Sequence, residues 1–207
     1  ALNADALDGM IAEAIKAKKA LSDGGYVPLE TLMSTAIDEA QKVAAKEDKT
    51  DDEIEEACRK LRSAMSEIEG MKDLWTKLDA LKEVNTSEMP SAVQNSVQSA
   101  ISNAENVTKD ANSTMNELAE AKSKIEQAFD DIQSYQDLSA KIEEAQGVYD
   151  ELADDAAYKD NLKQAIEAAQ TALKNPNATT GDFNHANDEL DLNIKLAQAK
   201  FRNAYEN

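Results

Sequence analysis

The sequence predicts an all-α protein: a tandem array of three three-helix bundles sharing continuous connecting helices, a rod. Three observations carry this expectation. From Ile54 through Ala57, Leu61, Ala64, Ile68, Met71, Leu74 and Leu78 to Leu81 the apolar positions step by three or four, with no proline between them. One core pattern occurs three times at near-constant spacing, anchored by Ala36-Ile37, Ala100-Ile101 and Ala165-Ile166. The 207 residues hold only six glycines and three prolines, and no stretch reads as an alternating, β-branched strand.

The long stretch is predicted to be one helix from Thr50 to Val84. Thr50 is a good N-cap, and Glu53 three positions later completes a capping box. A helix of about 34 residues spans roughly 50 Å, about three times the usual globular length. It is too long to serve one small bundle, so it must leave one bundle and enter the next. A similar stretch runs from Ser113 to about Leu152.

In chain order, Leu7, Met10, Ile11, Ala14 and Ile15 open the first helix, which stops at Ser22-Asp23-Gly24-Gly25. Pro28 starts the second, where its missing N–H costs nothing. Its face is Leu29, Leu32, Met33, Ala36, Ile37, Ala40 and Val43, and Lys46 to Lys49 form the turn before the long helix. Ala36-Ile37, Ala40 and Val43 return as Ala100-Ile101, Ala104 and Val107, and again as Ala165-Ile166, Ala169 and Ala172. Ala57 and Leu61 return as Ala121 and Ile125, then as Ala186 and Leu190. Leu7 and Ile11 return as Leu74 and Leu78, then as Leu138 and Ile142. Each unit is therefore helix, turn, helix, turn, helix, with one apolar stripe per helix, and an up-down-up bundle buries three such stripes. The expected repeats are 1–69, 70–134 and 135–207, with boundaries inside helices near Gly70 and Ser134. In the middle unit Ser87 is expected to cap the second helix, with Pro90 in its first turn. In the last, Asn175-Pro176-Asn177 ends the second helix and Thr179 or Thr180 caps the third.

Composition narrows the function. The chain is 42% apolar but only 4% aromatic, much of the apolar share being alanine, so cores are thin and each bundle alone is marginal. A formal net charge of −19 repels nucleic acid and anionic membranes. The charge reads either as solvated helix faces or as a binding face for cations or basic partners. No apolar run approaches a membrane span. Ala1 to Asp8 hold no signal-type core, which is compatible with a leader or anchor lying outside this stretch. Phe201 to Tyr205 still read as helix, leaving room for a further domain.

Cys58 is the only cysteine, so no intrachain disulfide forms. It aligns with the polar Lys122 and Asn187 and is expected on a bundle flank, with no histidine beside it to act as base. His185 is the only histidine, flanked by Asp182 and Glu189 on one helix face, an arrangement common on solvated helices and not read as a metal site. Asp51, Asp52, Glu53, Glu55 and Glu56 read as favourable acid at a helix N-terminus. No EF-hand loop, phosphate loop or nucleophile elbow is present. No catalytic residue, metal ligand or cofactor is predicted, and the chain is not read as an enzyme.

The third unit is the most informative. It reads Leu138, Ile142, Ala145, Tyr149, Tyr158, Leu162, Ala165, Ala169 and Leu173, then Asn175-Pro176-Asn177-Ala178-Thr179, then Phe183, Ala186 and Leu190. This resembles the FIVAR repeat, named for being found in various architectures. The first two units match it in core spacing and keep a capping hydroxyl in Lys49-Thr50 and Ser113-Thr114, without the Asn-Pro-Asn-Ala-Thr turn. Spectrin-type repeats are similar in sharing helices, but their repeat is much longer. The resemblance implies a module of large secreted or wall-attached bacterial proteins, beside glycan-active or adhesive domains, with sugar or host-protein binding. It brings no agreed functional residues.

Two residues stand out. Trp75 is replaced by Ser139 in the next unit, so the fold does not require an aromatic there. It either plugs the junction between the first two units or stands exposed as a stacking residue for a sugar or partner. Gly70 lies where the first unit passes into the second, and is expected to make a hinge there, or else to let a neighbouring loop approach the backbone. Its counterpart Ser134 should be stiffer. The expected role is a non-enzymatic spacer and interaction module of a bacterial surface or secreted protein. The alternative is a carbohydrate- or host-protein-binding module. Expected partners are other protein domains or glycans, without nucleic acid or membrane insertion, and the chain is expected to be monomeric.

Overall fold

The computed structural model describes the backbone of residues 3–206 and side chains through residue 199; Ala1, Leu2 and Asn207 lie outside the described residues. Every regular element among them is helical: α1 (Ala4–Asp23), α2 (Val27–Ala44), α3 (Asp51–Met71), α4 (Asp73–Lys82), α5 (Ser91–Lys109), α6 (Met115–Glu151), α7 (Lys159–Lys174) and α8 (Thr180–Glu206).

Turn chemistry sets where these helices begin and end. Gly24 closes α1, and Gly25 takes a left-handed φ of 76°. Pro28 sits in the first turn of α2. The third helix of every repeat starts at an equivalent threonine. The Glu53 amide donates to the Thr50 hydroxyl at 3.1 Å, Glu117 to Thr114 at 3.1 Å and Asp182 to Thr179 at 3.2 Å. The acidic side chain reaches back to the cap amide in each case, so all three are capping boxes. Asp110 and Asn175, which hold equivalent positions in the second and third repeats, each accept from the amide two positions on and tighten the preceding turn.

Two boundaries differ from the sequence expectation. The stretch Thr50–Val84 is two helices, interrupted by a turn at Lys72. There the Lys72 amide donates to Glu69 at 3.3 Å and the Trp75 amide to Lys72 at 3.0 Å, each reaching back three positions where an α-helix reaches four. In the middle repeat Ser87 does not cap a helix. Its amide and hydroxyl both donate to Asn85, and α5 begins only after Pro90, whose carbonyl accepts from Val93 and Gln94.

The residues form two compact units, Ala1–Glu83 with Ala100–Ile125, and Val84–Ser99 with Glu126–Asn207. In the first, α1, α2 and α3 pack mutually. They bury Leu7, Ile11, Ala14 and Leu21, then Leu29, Met33, Ile37 and Ala40, then Ile54, Ala57, Leu61 and Ile68. Cys58 is buried with them, contrary to the flank position expected from its polar counterparts; a cysteine is small and apolar enough to fill that slot. Ile15, expected on the core face, is 47% exposed, because α1 narrows its buried stripe to Leu7, Ile11, Ala14 and Leu21. The α4 face buries Leu74, Leu78 and Leu81, and two ion pairs tie α4 in: Lys82 to Glu105 of α5 at 3.1 Å and Asp73 to Lys122 of α6 at 3.4 Å.

In the second unit α7 packs on α8. Leu138 and Ala145, Leu162, Ile166 and Ala169, and Phe183, Leu190, Ile194 and Ala197 are buried there. Tyr158, expected among the core positions, is 41% exposed at the left-handed residue (φ 68°) that precedes α7. Its backbone turns the chain into the helix, and its ring is left outside.

Candidate interaction site

Trp75 lies in the first turn of α4, directly after the break at Lys72. It is half-buried, and its ring meets Tyr26 edge-to-face at a centroid distance of 5.1 Å and an interplanar angle of 66°. Tyr26 belongs to the α1–α2 turn. It lies so close to Gly24 that a Cβ there would meet the ring at 2.7 Å, so any larger residue at position 24 would have to displace the ring. The Lys72 ammonium stands 5.5 Å from the Tyr26 centroid. The cluster thus ties the start of α4 back to the first turn of the chain, while parts of both rings stay accessible. Sequence reading singles out Trp75 and misses Tyr26. The available signal is an aromatic placed directly after a Gly-Gly stop.

Gly70 has nothing within 4 Å of where a Cβ would stand. Close approach of the Asn85–Pro90 turn is therefore not the reason for a glycine there.

Two grooves recur at equivalent places. One, of about 750 Å³, lies between α7 and α8 and is lined by Ala165, Ala169 and Ala186 with Asp182, His185 and Glu189. The other, of about 520 Å³, lies between α2 and α3. Its lining includes the first-repeat counterparts of those residues: Ala36, Ala40 and Ala57 with Glu53, Glu56 and Lys60. The recurrence marks the grooves as a consequence of packing an alanine-rich second helix on the third. His185, Asp182 and Glu189 are all exposed. Among the described residues no group of three or more His, Cys, Asp or Glu is placed to hold a metal ion.

The acidic start of α3 is neutralised locally. The Lys46 ammonium and the Thr50 amide hold the Glu53 carboxyl below its ordinary range, and Arg59 does the same for Glu56. On α8, Lys195 at 2.7 Å and Lys141 of α6 at 3.2 Å lower the Asp191 carboxyl. Lys141 is raised in turn by Glu144 and then Asp191. These are surface pairings between and along helices.

A family model described as the FIVAR domain matches residues 5–69, 71–133 and 134–198. The chain belongs to the FIVAR family. Its fold is accordingly an all-α array of three tandem FIVAR repeats: α1–α3, then α4, α5 and the first part of α6, then the rest of α6 with α7 and α8. FIVAR is a non-catalytic repeat family, and FIVAR domains occur in bacterial surface proteins. No curated protein and no solved structure matches the chain. Among the described residues no helix is long and apolar enough to cross a membrane.

The join between the second and third FIVAR repeats is polar and is not legible in the sequence. Asp131 of α6 accepts from the Ser96 hydroxyl of α5 at 2.6 Å and from the Thr180 hydroxyl at the start of α8. Gln127, one turn before Asp131, donates to both Asp131 and Thr180 at 3.1 Å. The Tyr135 hydroxyl, just past Ser134, donates to the Glu88 carbonyl in the α4–α5 turn at 3.4 Å. Both joins thus use an aromatic on the connecting helix to hold the preceding repeat's first turn: Trp75 against Tyr26, and Tyr135 against Glu88.

Proposed function

We propose that this FIVAR array is a spacer and interaction module of a bacterial surface or secreted protein, working outside the cell without catalysis. The observation that supports it best is the construction of the joins. α6 runs unbroken from Met115 to Glu151 through the second join, and Asp131, Thr180, Gln127 and Tyr135 fasten the adjoining turns to it. Chain invested in connecting repeats suits a part that sets distance. The acidic surface favours separation from nucleic acid and anionic membranes and keeps arrays from sticking to one another. Small-angle scattering of the intact chain tests the reading. A monomer with an elongated distance distribution is expected; a compact globule sinks it.

A second reading rests on the Trp75–Tyr26 pair. Two half-exposed aromatic rings beside the Lys72 ammonium can stack on a sugar face or fill a partner's groove. A glycan array and a serum-protein panel, run with the chain and with Trp75→Ala, test it. Binding lost in the variant supports the site, and silence across both panels leaves the spacer alone.

A further inference from the structure

The third repeat departs from the other two at the start of its second helix. Leu29, Val93 and Tyr158 are equivalent by repeat offset, and α2 and α5 begin at the equivalent residues Val27 and Ser91. α7 begins at Lys159, three positions late. Leu29 and Val93 are buried in the first turn of their helices, whereas Tyr158 stands exposed. Tyr158 is also the one non-glycine among the described residues with a left-handed φ, a conformation that a Cβ makes costly.

One side chain gathers the α6–α7 turn. The Lys159 ammonium donates to the Leu152 carbonyl at 3.0 Å and to Asp154 at 3.3 Å, and it stands 4.9 Å from the centre of the Tyr149 ring. Its side chain is 14% exposed. The backbone bonds of the turn are local and each reaches back three positions: Leu152 to Tyr149, Ala156 to Ala153 and Lys159 to Ala156. The opposite end of α7 is fastened otherwise, since the turn into α8 sits on α6 through Thr180, Gln127 and Asp131. On α8, Asn187 holds the position where Cys58 is fully buried in the first repeat, and the Asn187 Oδ1 is buried without a hydrogen-bond partner. Opening the bundle returns water to that oxygen, which favours the open form.

We propose that α7 is the yielding helix of the array: it opens from the α6–α7 turn, with Lys159 as the latch, while Thr180 keeps the other end of the repeat seated. A spacer pulled by its ends would lengthen here first. That consequence rests on the spacer reading, whereas the latch does not.

Hydrogen exchange of the intact chain tests the latch, separately from the scattering that tests the spacer. Residues 165–170, in the middle of α7, should exchange about tenfold faster than their counterparts 36–41 in α2. Lys159→Met keeps the apolar stem and removes the ammonium; it should quicken 165–170 about tenfold further and leave 36–41 unchanged. Tyr158→Gly, which suits a left-handed φ, should slow 165–170. The proposal is overturned if the two segments exchange alike, if Lys159→Met moves neither or both equally, or if Tyr158→Gly fails to slow α7.

Discussion

At the scale of single residues, burial follows helical spacing for most aliphatic side chains, with Ile15 on α1 an exception. Leu7, Leu61, Leu118, Ile125, Leu138 and Leu162 are all fully buried at positions their spacing marks. Periodicity is blind to residues whose surroundings are made by another part of the chain. Cys58 is buried although its counterparts Lys122 and Asn187 are polar, because each repeat fills that slot differently. Tyr26 cannot be paired with Trp75 from sequence, since the two are far apart in the chain and meet only in the fold. The pair has a measurable consequence. Trp75→Ala removes the edge-to-face contact, worth about 0.5–1.5 kcal/mol, along with part of a large apolar surface. A loss of about 2–3 kcal/mol in urea unfolding is expected. Trp75→Ser, the residue standing at position 139, should cost as much. A loss under about 0.5 kcal/mol would show that the cluster does not hold α4 to the first turn.

At the scale of elements, the helices and their caps are largely legible. The three capping boxes stand where a threonine precedes an acidic residue by three, and Thr114→Ala should cost about 1 kcal/mol, read as a lowered denaturation midpoint. The turn at Lys72 falls within one helical turn of Gly70, which the sequence marks as a weak point, but its position and bonding are not legible, because the other residues around it are competent helix formers. A shift from four-position to three-position hydrogen bonds leaves no compositional trace. Among the ion pairs, Asp191 predicts a pH dependence. Its carboxyl is lowered by Lys195 and Lys141, so the pairing stabilises the fold above the ordinary aspartate range near pH 4 and is lost as pH falls through the lowered value. The difference in Tm between the protein and Asp191→Asn should hold steady from about pH 6 to 8 and shrink below about pH 4. A difference unchanged down to about pH 2 would remove the pairing from the account.

At the scale of the whole molecule, the return of Ala36-Ile37 as Ala100-Ile101 and as Ala165-Ile166 makes the array readable, because each repeat must bury the same three stripes. How neighbouring repeats are fastened is not readable. Ser96, Gln127, Asp131 and Thr180 are ordinary surface residues in sequence and acquire a role only when one repeat's turn meets the preceding repeat. The same limit applies to the grooves beside α3 and α8, which follow from alanine placement and carry no convergent chemistry.

The central claim is that repeats are joined through their helices, tightly at the second join and with a break at the first. Hydrogen exchange of the intact chain measures both in one experiment. The amides around Ser134, inside unbroken α6 and beside the buried Ile132, should exchange as slowly as the helix centres. Those from Gly70 to Trp75 should exchange at least tenfold faster, and Gly70→Ala, with open space at its Cβ, should slow them without disturbing the fold. Equal protection at the two joins, or rapid exchange through Ser134, would contradict the account.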